Sequence, residues 1–188
     1  MEFTVTQAQL KSLIDRTAFS MAQQDVRYYL NGMLFEVTPR HLRTVATDGH
    51  RLAMATYESE LPGVRSDLQV ILPRKGVLEL LRLLQNPDED VRVVLGGNHF
   101  HAITPDFTFT SKLVDGKFPE YERVVPRDAD KRVLGPRVEL KEALARTAIL
   151  SNEKYRGVRL VLEDGNLQIL ANNPEQEEAE EQVGVSYS

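Results

Sequence analysis

The sequence predicts an α+β protein built from antiparallel sheets, with its helices on one face. Three observations carry that reading. A strand–helix–three-strand order occurs twice before Lys112, an apolar helical stripe stands beside alternating strand patterns, and part of the order returns further along. Leu10-Lys11 through Arg16-Thr17-Ala18 recurs as Leu140-Lys141 through Arg146-Thr147-Ala148, at an offset of 130. Gly32-Met33-Leu34-Phe35 is answered by Gly157-Val158-Arg159-Leu160, and Leu42 to Thr47 by Leu167 to Asn172, both at an offset of 125. The second copy is thus five residues shorter after its helix. A period this long indicates a duplicated domain, since solenoid repeats run roughly 20–50 residues.

Glu2 to Thr6 alternates polar and apolar residues and reads as a strand. Leu10, Leu13, Ile14, Thr17 and Ala18 then form one helical stripe, and Thr6 is placed to cap the helix. Met33 to Val37, Leu42 to Thr47 and Arg51 to Tyr57 follow as strands, separated by Pro39-Arg40-His41 and Asp48-Gly49-His50. The order restarts with a strand at Leu68 to Leu72. Pro73 opens the next helix, where its missing N–H costs nothing, and Val77, Leu78, Leu80, Leu81, Leu83 and Leu84 supply the apolar residues. Val91 to Leu95, Phe100 to Thr104 and Phe107 to Lys112 complete the set. Two such halves can pair their sheets and put both helices on one face.

The boundaries expected from this pattern are a complete domain over 1–127, a linker over 128–137 and an incomplete domain over 138–188. The stretch Pro126 to Pro136 is polar, holds two prolines and lacks periodicity. The last segment carries only one half of the pattern, so it is expected to expose an apolar face.

Composition narrows the function. With 41% hydrophobic and 27% charged residues, the 188-residue chain has a globular composition. It has no cysteine, which excludes disulfides and thiolate metal sites. No apolar run approaches the roughly 20 residues of a membrane helix, so a cytoplasmic protein is expected. The net charge of −5 argues against a surface that grips nucleic acid everywhere, yet leaves room for a local basic face.

No nucleophile elbow, phosphate-binding glycine loop or dinucleotide fingerprint is present. His99 and His101 share one face of a predicted strand and, with Asp106, define a metal-dependent hydrolase as a competing reading. No third histidine lies near them, and a plain surface pair is preferred. No catalytic residue, metal or cofactor is expected.

Three other strings stand out. Thr47-Asp48-Gly49-His50-Arg51-Leu52 reads by propensity as a hairpin turn. The second copy has Asn172-Asn173-Pro174-Glu175 there, so the turn does not itself require Gly49, His50 and Arg51. Pro73-Arg74-Lys75-Gly76 sets two cations at the positive end of a helix, an arrangement that attracts phosphate. Gln23 to Tyr29 combines amides, an arginine and adjacent tyrosines, which suits stacking or backbone contact with nucleic acid.

Together these strings resemble the bacterial DNA polymerase sliding clamp, the β subunit of the replicative polymerase. The matching runs are Gln24 to Gly32, Leu42 to Ala53, Pro73 to Val77, Phe109 to Tyr121, Ile149 to Lys154 and Ala171 to Glu178. The resemblance covers essentially the whole chain and places it as the middle domain plus the first half of the third. It implies the DNA clamp fold and a non-catalytic processivity factor of bacterial DNA replication. In that family two subunits close a ring around duplex DNA, which they contact without reading sequence. Replicative and translesion polymerases, the clamp loader and repair proteins bind through short peptides in which glutamine precedes leucine and aromatic residues.

Transferred position by position, the resemblance implies a peptide cleft of Leu30, Thr47, Gly49, His50, Arg51, Leu52, Pro119, Arg123 and Val124. Leu30, Leu52, Pro119 and Val124 would supply its apolar slot. It implies DNA-facing residues Gln24, Tyr28, Tyr29, Arg74 and Lys75, and a subunit interface at Ile149 and Leu150. The family's first domain and extreme C-terminus have no counterpart here. Normal ring closure is therefore not expected, and peptide binding is expected to be weak. A regulatory or interfering short clamp, assembling in a different ring, is the alternative.

Overall fold

The computed structural model describes residues 1–153 and 156–187; Lys154, which closes one matching run, lies outside them. The chain divides into two compact units, Met1–Glu122 and Arg123–Ser188.

Unit 1 opens with strand β1 (Glu2–Thr6) and helix α1 (Gln7–Asp15). Thr6 Oγ1 accepts from the Gln9 N–H at 3.2 Å, while Gln9 Oε1 accepts from the Thr6 N–H at 2.9 Å. This reciprocal capping box fixes the strand-to-helix turn. The helix ends earlier than the apolar stripe suggests, and Ala18–Ser20 continues it as a 3-10 turn. Thr17 Oγ1 donates back to the Leu13 carbonyl at 2.8 Å, offering the backbone a bond that competes with continued helix. Strands β2 (Gly32–Thr38), β3 (His41–Thr47) and β4 (Leu52–Glu58) form a meander. Strand β5 (Leu68–Pro73), helix α2 (Arg74–Leu83), and strands β6 (Asp90–Gly96), β7 (His99–Ile103) and β8 (Thr108–Lys112) repeat the order.

The two halves exchange their leading strands. One antiparallel sheet runs β1-β6-β7-β8 and the other β4-β3-β2-β5. Strand β1 therefore pairs with the second half, Glu2 opposite Val94, and β5 with the first, Phe35 opposite Val70. A single core joins both sheets and both helices, with Leu10, Ile14, Met33, Phe35, Leu72, Leu80 and Phe100 buried in it. The Phe35 and Phe100 rings, one from each sheet, meet at 5.3 Å.

Strand β2 is buried on both faces. Met33, Phe35 and Val37 enter the main core, while Leu34 joins Val45, Ile71, Phe118 and Tyr121 in a smaller cluster. The segment after β8 supplies Phe118 and Tyr121 to that cluster. It is held by the Val114 N–H donating to the Ile71 carbonyl at 2.9 Å.

Unit 2 contains strand β9 (Val133–Leu134), helix α3 (Arg137–Thr147), and strands β10 (Arg159–Glu163), β11 (Asn166–Asn172), β12 (Glu178–Gly184) and β13 (Ser186–Tyr187). Strands β10, β11 and β12 make a three-stranded meander, and β13 pairs with β9. The polar stretch between the two patterned regions thus contains a short strand, because Val133 and Leu134 find partners in Tyr187 and Ser186. Ala143, Leu167, Ile169, Val183 and Val185 form this unit's core.

Candidate peptide-binding turn and nucleic-acid-facing loop

The Thr47–Leu52 turn is fixed by its own side chains. Thr47 Oγ1 donates to the Arg51 carbonyl at 2.7 Å and accepts from the Gly49 N–H at 3.1 Å. Asp48 Oδ1 accepts from the His50 and Arg51 N–H groups at 2.9 and 3.0 Å, and Oδ2 receives Arg51 Nε at 3.1 Å. Partial burial alone would raise the Asp48 pKa, but these donors outweigh it and hold the carboxyl below its ordinary range.

Two neighbours lock the turn from outside. Arg51 lies over the Phe19 ring, 5.5 Å from its centroid, and Nη2 donates to the Phe19 carbonyl at 2.6 Å. Gly49 has φ +89°, and a Cβ there would meet Arg27 Nη2 at 2.9 Å. Arg27 is itself held by Asp25 through hydrogen bonds of 2.9 and 2.7 Å. The Arg27 side chain and N–H keep the Asp25 pKa at about 2. The Asp-Gly pair thus serves both the left-handed turn and the close approach of Arg27.

Thr47, Gly49, His50, Arg51 and Leu52 therefore lie on one locked turn. Leu52 is half-buried against the Leu34, Val45, Ile71, Phe118 and Tyr121 cluster. Pro119 is exposed between the two aromatic anchors, Phe118 and Tyr121. Leu30 is fully buried rather than open to solvent. Arg123 closes the 3-10 turn Tyr121–Arg123 and, with exposed Val124, falls beyond the last residue of unit 1.

The loop 23–31 gathers the second residue set. Asn31 Nδ2 donates to the Asp25 carbonyl at 2.8 Å, and Oδ1 accepts the Asp25 N–H at 2.9 Å. The Asn31 carbonyl in turn accepts the Arg74 N–H at 2.9 Å, and Gly32 pairs with Pro73. This joins Gln24, Tyr28 and Tyr29 to the start of α2, where Arg74 and Lys75 stand. Gln24, Tyr28 and Lys75 are exposed, while Tyr29 and Arg74 are half-buried. The two tyrosine rings meet edge to face at 5.8 Å. A surface of amides, rings and cations on a braced loop can stack on and neutralise a phosphodiester chain.

In unit 2, Ile149 is exposed and Leu150 half-buried on the 3-10 turn Ala148–Leu150. The histidines of the hydrolase reading have other neighbours. The His99 and His101 rings stack at 6.0 Å, and His101 Nδ1 lies 2.9 Å from Thr110 Oγ1. Asp106 accepts from Asn86 at 3.0 Å, and among the described residues no three His, Cys, Asp or Glu side chains group to hold an ion.

Sequence reasoning missed the polar network that fastens the Tyr121 turn to the sheet. Glu36 receives His41 Nε2 at 3.1 Å, Arg43 Nη1 at 3.1 Å, Gln69 Nε2 at 2.7 Å and Tyr121 Oη at 3.2 Å. Glu36 and Arg43 are direct cross-strand partners, and that opposite-charge pairing is the signal that could have revealed them. Phe19, the seat of Arg51, carried no sequence signal.

Residues 4–120 match the family model for the DNA polymerase III beta subunit, central domain, and residues 122–188 match that for its C-terminal domain. The chain belongs to the DNA polymerase III beta subunit family. It is 63% identical over 188 residues to the beta sliding clamp of Pseudomonas aeruginosa, covering 100% of this chain and 51% of that protein. It is 57% identical over 190 residues to the beta sliding clamp of Escherichia coli strain K12, again covering 100% and 51%. The crystal structure of the beta subunit from P. aeruginosa superposes with a TM-score of 0.96 at 63% identity, over 100% of this chain and 51% of that one. A Bartonella birtlesii sliding clamp bound to griselimycin superposes with a TM-score of 0.92 at 40% identity, with the same coverage. The chain spans about half the length of the beta sliding clamps it matches. Among the described residues, no helix is long and apolar enough to cross a membrane.

Proposed function

We propose that this chain provides the partner-binding and DNA-facing part of a bacterial replication sliding clamp, a cytoplasmic, non-catalytic tether for DNA polymerase. The observation that carries the reading is the locked Thr47–Leu52 turn. It fixes the Arg51 cation next in sequence to Leu52, which is half-buried against the cluster whose Phe118 and Tyr121 flank exposed Pro119. An extended peptide needs such a combination, with an apolar anchor site and a fixed donor for its carbonyls. Arg123 and Val124 would extend this cleft, and Leu30 would line its floor.

Gln24, Tyr28, Tyr29, Arg74 and Lys75 would meet the phosphate backbone of duplex DNA without reading bases. Residues 1–127 would act as the complete clamp domain, 128–137 as linker and 138–188 as part of the next domain. Ile149 and Leu150 would serve the contact with a neighbouring subunit. Replicative and translesion polymerases, clamp loader and repair proteins are the partners in this reading. No specific observation favours the short regulatory clamp.

The test is isothermal titration with a short peptide containing glutamine followed by leucine and aromatic residues. Weak, saturable binding that Leu52→Ala reduces at least tenfold is expected. No binding at millimolar peptide, or affinity equal to that of a full-length clamp, would overturn the reading.

A further inference from the structure

Direct cross-strand partners point to the same face of a sheet, so the register orders the face of β4-β3-β2-β5 turned away from the main core. Thr47 stands with Leu52 at one end of that face, and Val45 with Leu34, Ile71 and Met54 in the next row. Arg43, Glu36, Gln69 and Thr56 make the row after it. The face therefore passes from the Thr47–Leu52 turn through an apolar middle to a charged row.

The segment after β8 lies against this face and is fastened to it twice. The Val114 N–H donates to the Ile71 carbonyl at 2.9 Å. Further on, Tyr121 Oη accepts from Arg43 Nη1 at 3.0 Å and donates to Glu36 Oε2 at 3.2 Å. Glu122 Oε1 approaches the same guanidinium at 4.0 Å. Exposed Pro119 lies between the two fastenings. Its carbonyl accepts the Tyr121 N–H at 2.7 Å, so the position of Pro119 follows that of Tyr121.

The Tyr121 hydroxyl is not needed to satisfy its partners. Glu36 keeps His41, Arg43 and Gln69 without it, and Arg43 Nε still donates to Thr56 Oγ1 at 2.8 Å. What the hydroxyl decides is where the turn sits on the sheet. Tyr121 is only 5% exposed, so it offers an incoming peptide almost no surface of its own.

We propose that Tyr121 is a positioning residue for peptide binding, and that Arg43 and Glu36 act through it. Their bracket on the hydroxyl holds Pro119 where the peptide needs it. The inference rests on the cleft reading above and adds to it a control point in the charged row. A wall fixed before the peptide arrives spares the complex the cost of ordering it.

The test is Tyr121→Phe in the whole chain, which keeps the buried ring and removes only the bracket. Titration with the peptide of glutamine followed by leucine and aromatic residues is expected to show about fivefold weaker binding. The urea midpoint is expected to change little, and hydrogen exchange to rise at residues 118–122 but not in β2 or β3. Arg43→Met is expected to weaken binding in the parent chain and to add nothing in the Tyr121→Phe chain, the mark of a residue that acts through the hydroxyl. Unchanged affinity in Tyr121→Phe, while Leu52→Ala still weakens the parent, overturns the proposal and leaves the cleft reading standing. So does unchanged exchange at 118–122, an additive Arg43→Met effect, or a loss of affinity matched by an equal loss of stability. A parent chain that binds no peptide overturns both.

Discussion

Arg51 both covers the Phe19 ring and donates to the Phe19 carbonyl, so one side chain ties the Asp48-Gly49 turn to the end of the first helical segment. Its remaining surface is open to solvent. In the proposed peptide complex the guanidinium would be held in place beforehand, which would lower the ordering cost of binding.

Replacing Arg51 by alanine should cost roughly 1–2 kcal/mol of stability, combining a surface cation–π interaction with the exposed side-chain bonds to Asp48 and to the Phe19 carbonyl. The decrease in peptide affinity should be larger than this stability change suggests. Arg51→Lys should recover little, because lysine cannot cover the ring and fork to two acceptors together. Chemical denaturation and peptide titration of the two variants check both statements.

Gly49→Ala should destabilise unit 1 by about 1–2 kcal/mol, the cost of a left-handed backbone for a residue with a Cβ. The added methyl also meets Arg27 at 2.9 Å, so the Asp25–Arg27 pair must shift. The Asp25 carboxyl, titrating at about 2 in the parent chain, should then move toward ordinary aspartate values. Carbon-detected magnetic resonance of that side chain measures the movement.

Glu36 gives unit 1 a specific acid sensitivity. Burial raises its pKa, but Gln69, His41, Arg43 and Tyr121 outweigh that effect and leave it lowered. A carboxyl with a depressed folded pKa stabilises the fold above its unfolded value. That contribution is lost as pH falls through the folded value. Glu36→Gln should reduce stability by about 1–3 kcal/mol at neutral pH and flatten the decline below the ordinary glutamate range. Urea midpoints from pH 7 down to pH 3 test this; parallel curves for the two chains would refute it.

Arg74→Ala and Lys75→Ala together should weaken duplex binding about equally for all sequences. The slope of log affinity against log salt should fall by about 2, one for each phosphate no longer neutralised. Fluorescence anisotropy with two unrelated duplexes between 20 and 150 mM salt provides the readout.

Much of unit 1 was legible residue by residue. The Thr6 cap, the Leu10-Leu13-Ile14 stripe and the three strands up to Tyr57 follow from local periods, which the backbone obeys directly. The exchange of leading strands was not legible, because the pattern of Glu2 to Thr6 says nothing about which edge it joins. Nor was the second cluster: Met33-Leu34-Phe35 reads as one apolar run, and only the fold assigns Leu34 to the opposite face. The Asp48-Gly49 turn announced its own shape, while its braces, Phe19 and Arg27, became neighbours only through tertiary packing.

The strand exchange has a consequence for synthesis. Glu2 is synthesised well before Val94, the residue it pairs with. At about 5–20 residues per second, the first strand waits roughly 5–20 s with its hydrogen-bonding edge unclaimed. During that interval β2, β3 and β4 can already close on one another, whereas β1 can be captured only by a latecomer. Strand β1 is thus made before β2, β3 and β4 but completed after them, with its edge open to chaperones or stray strands in between.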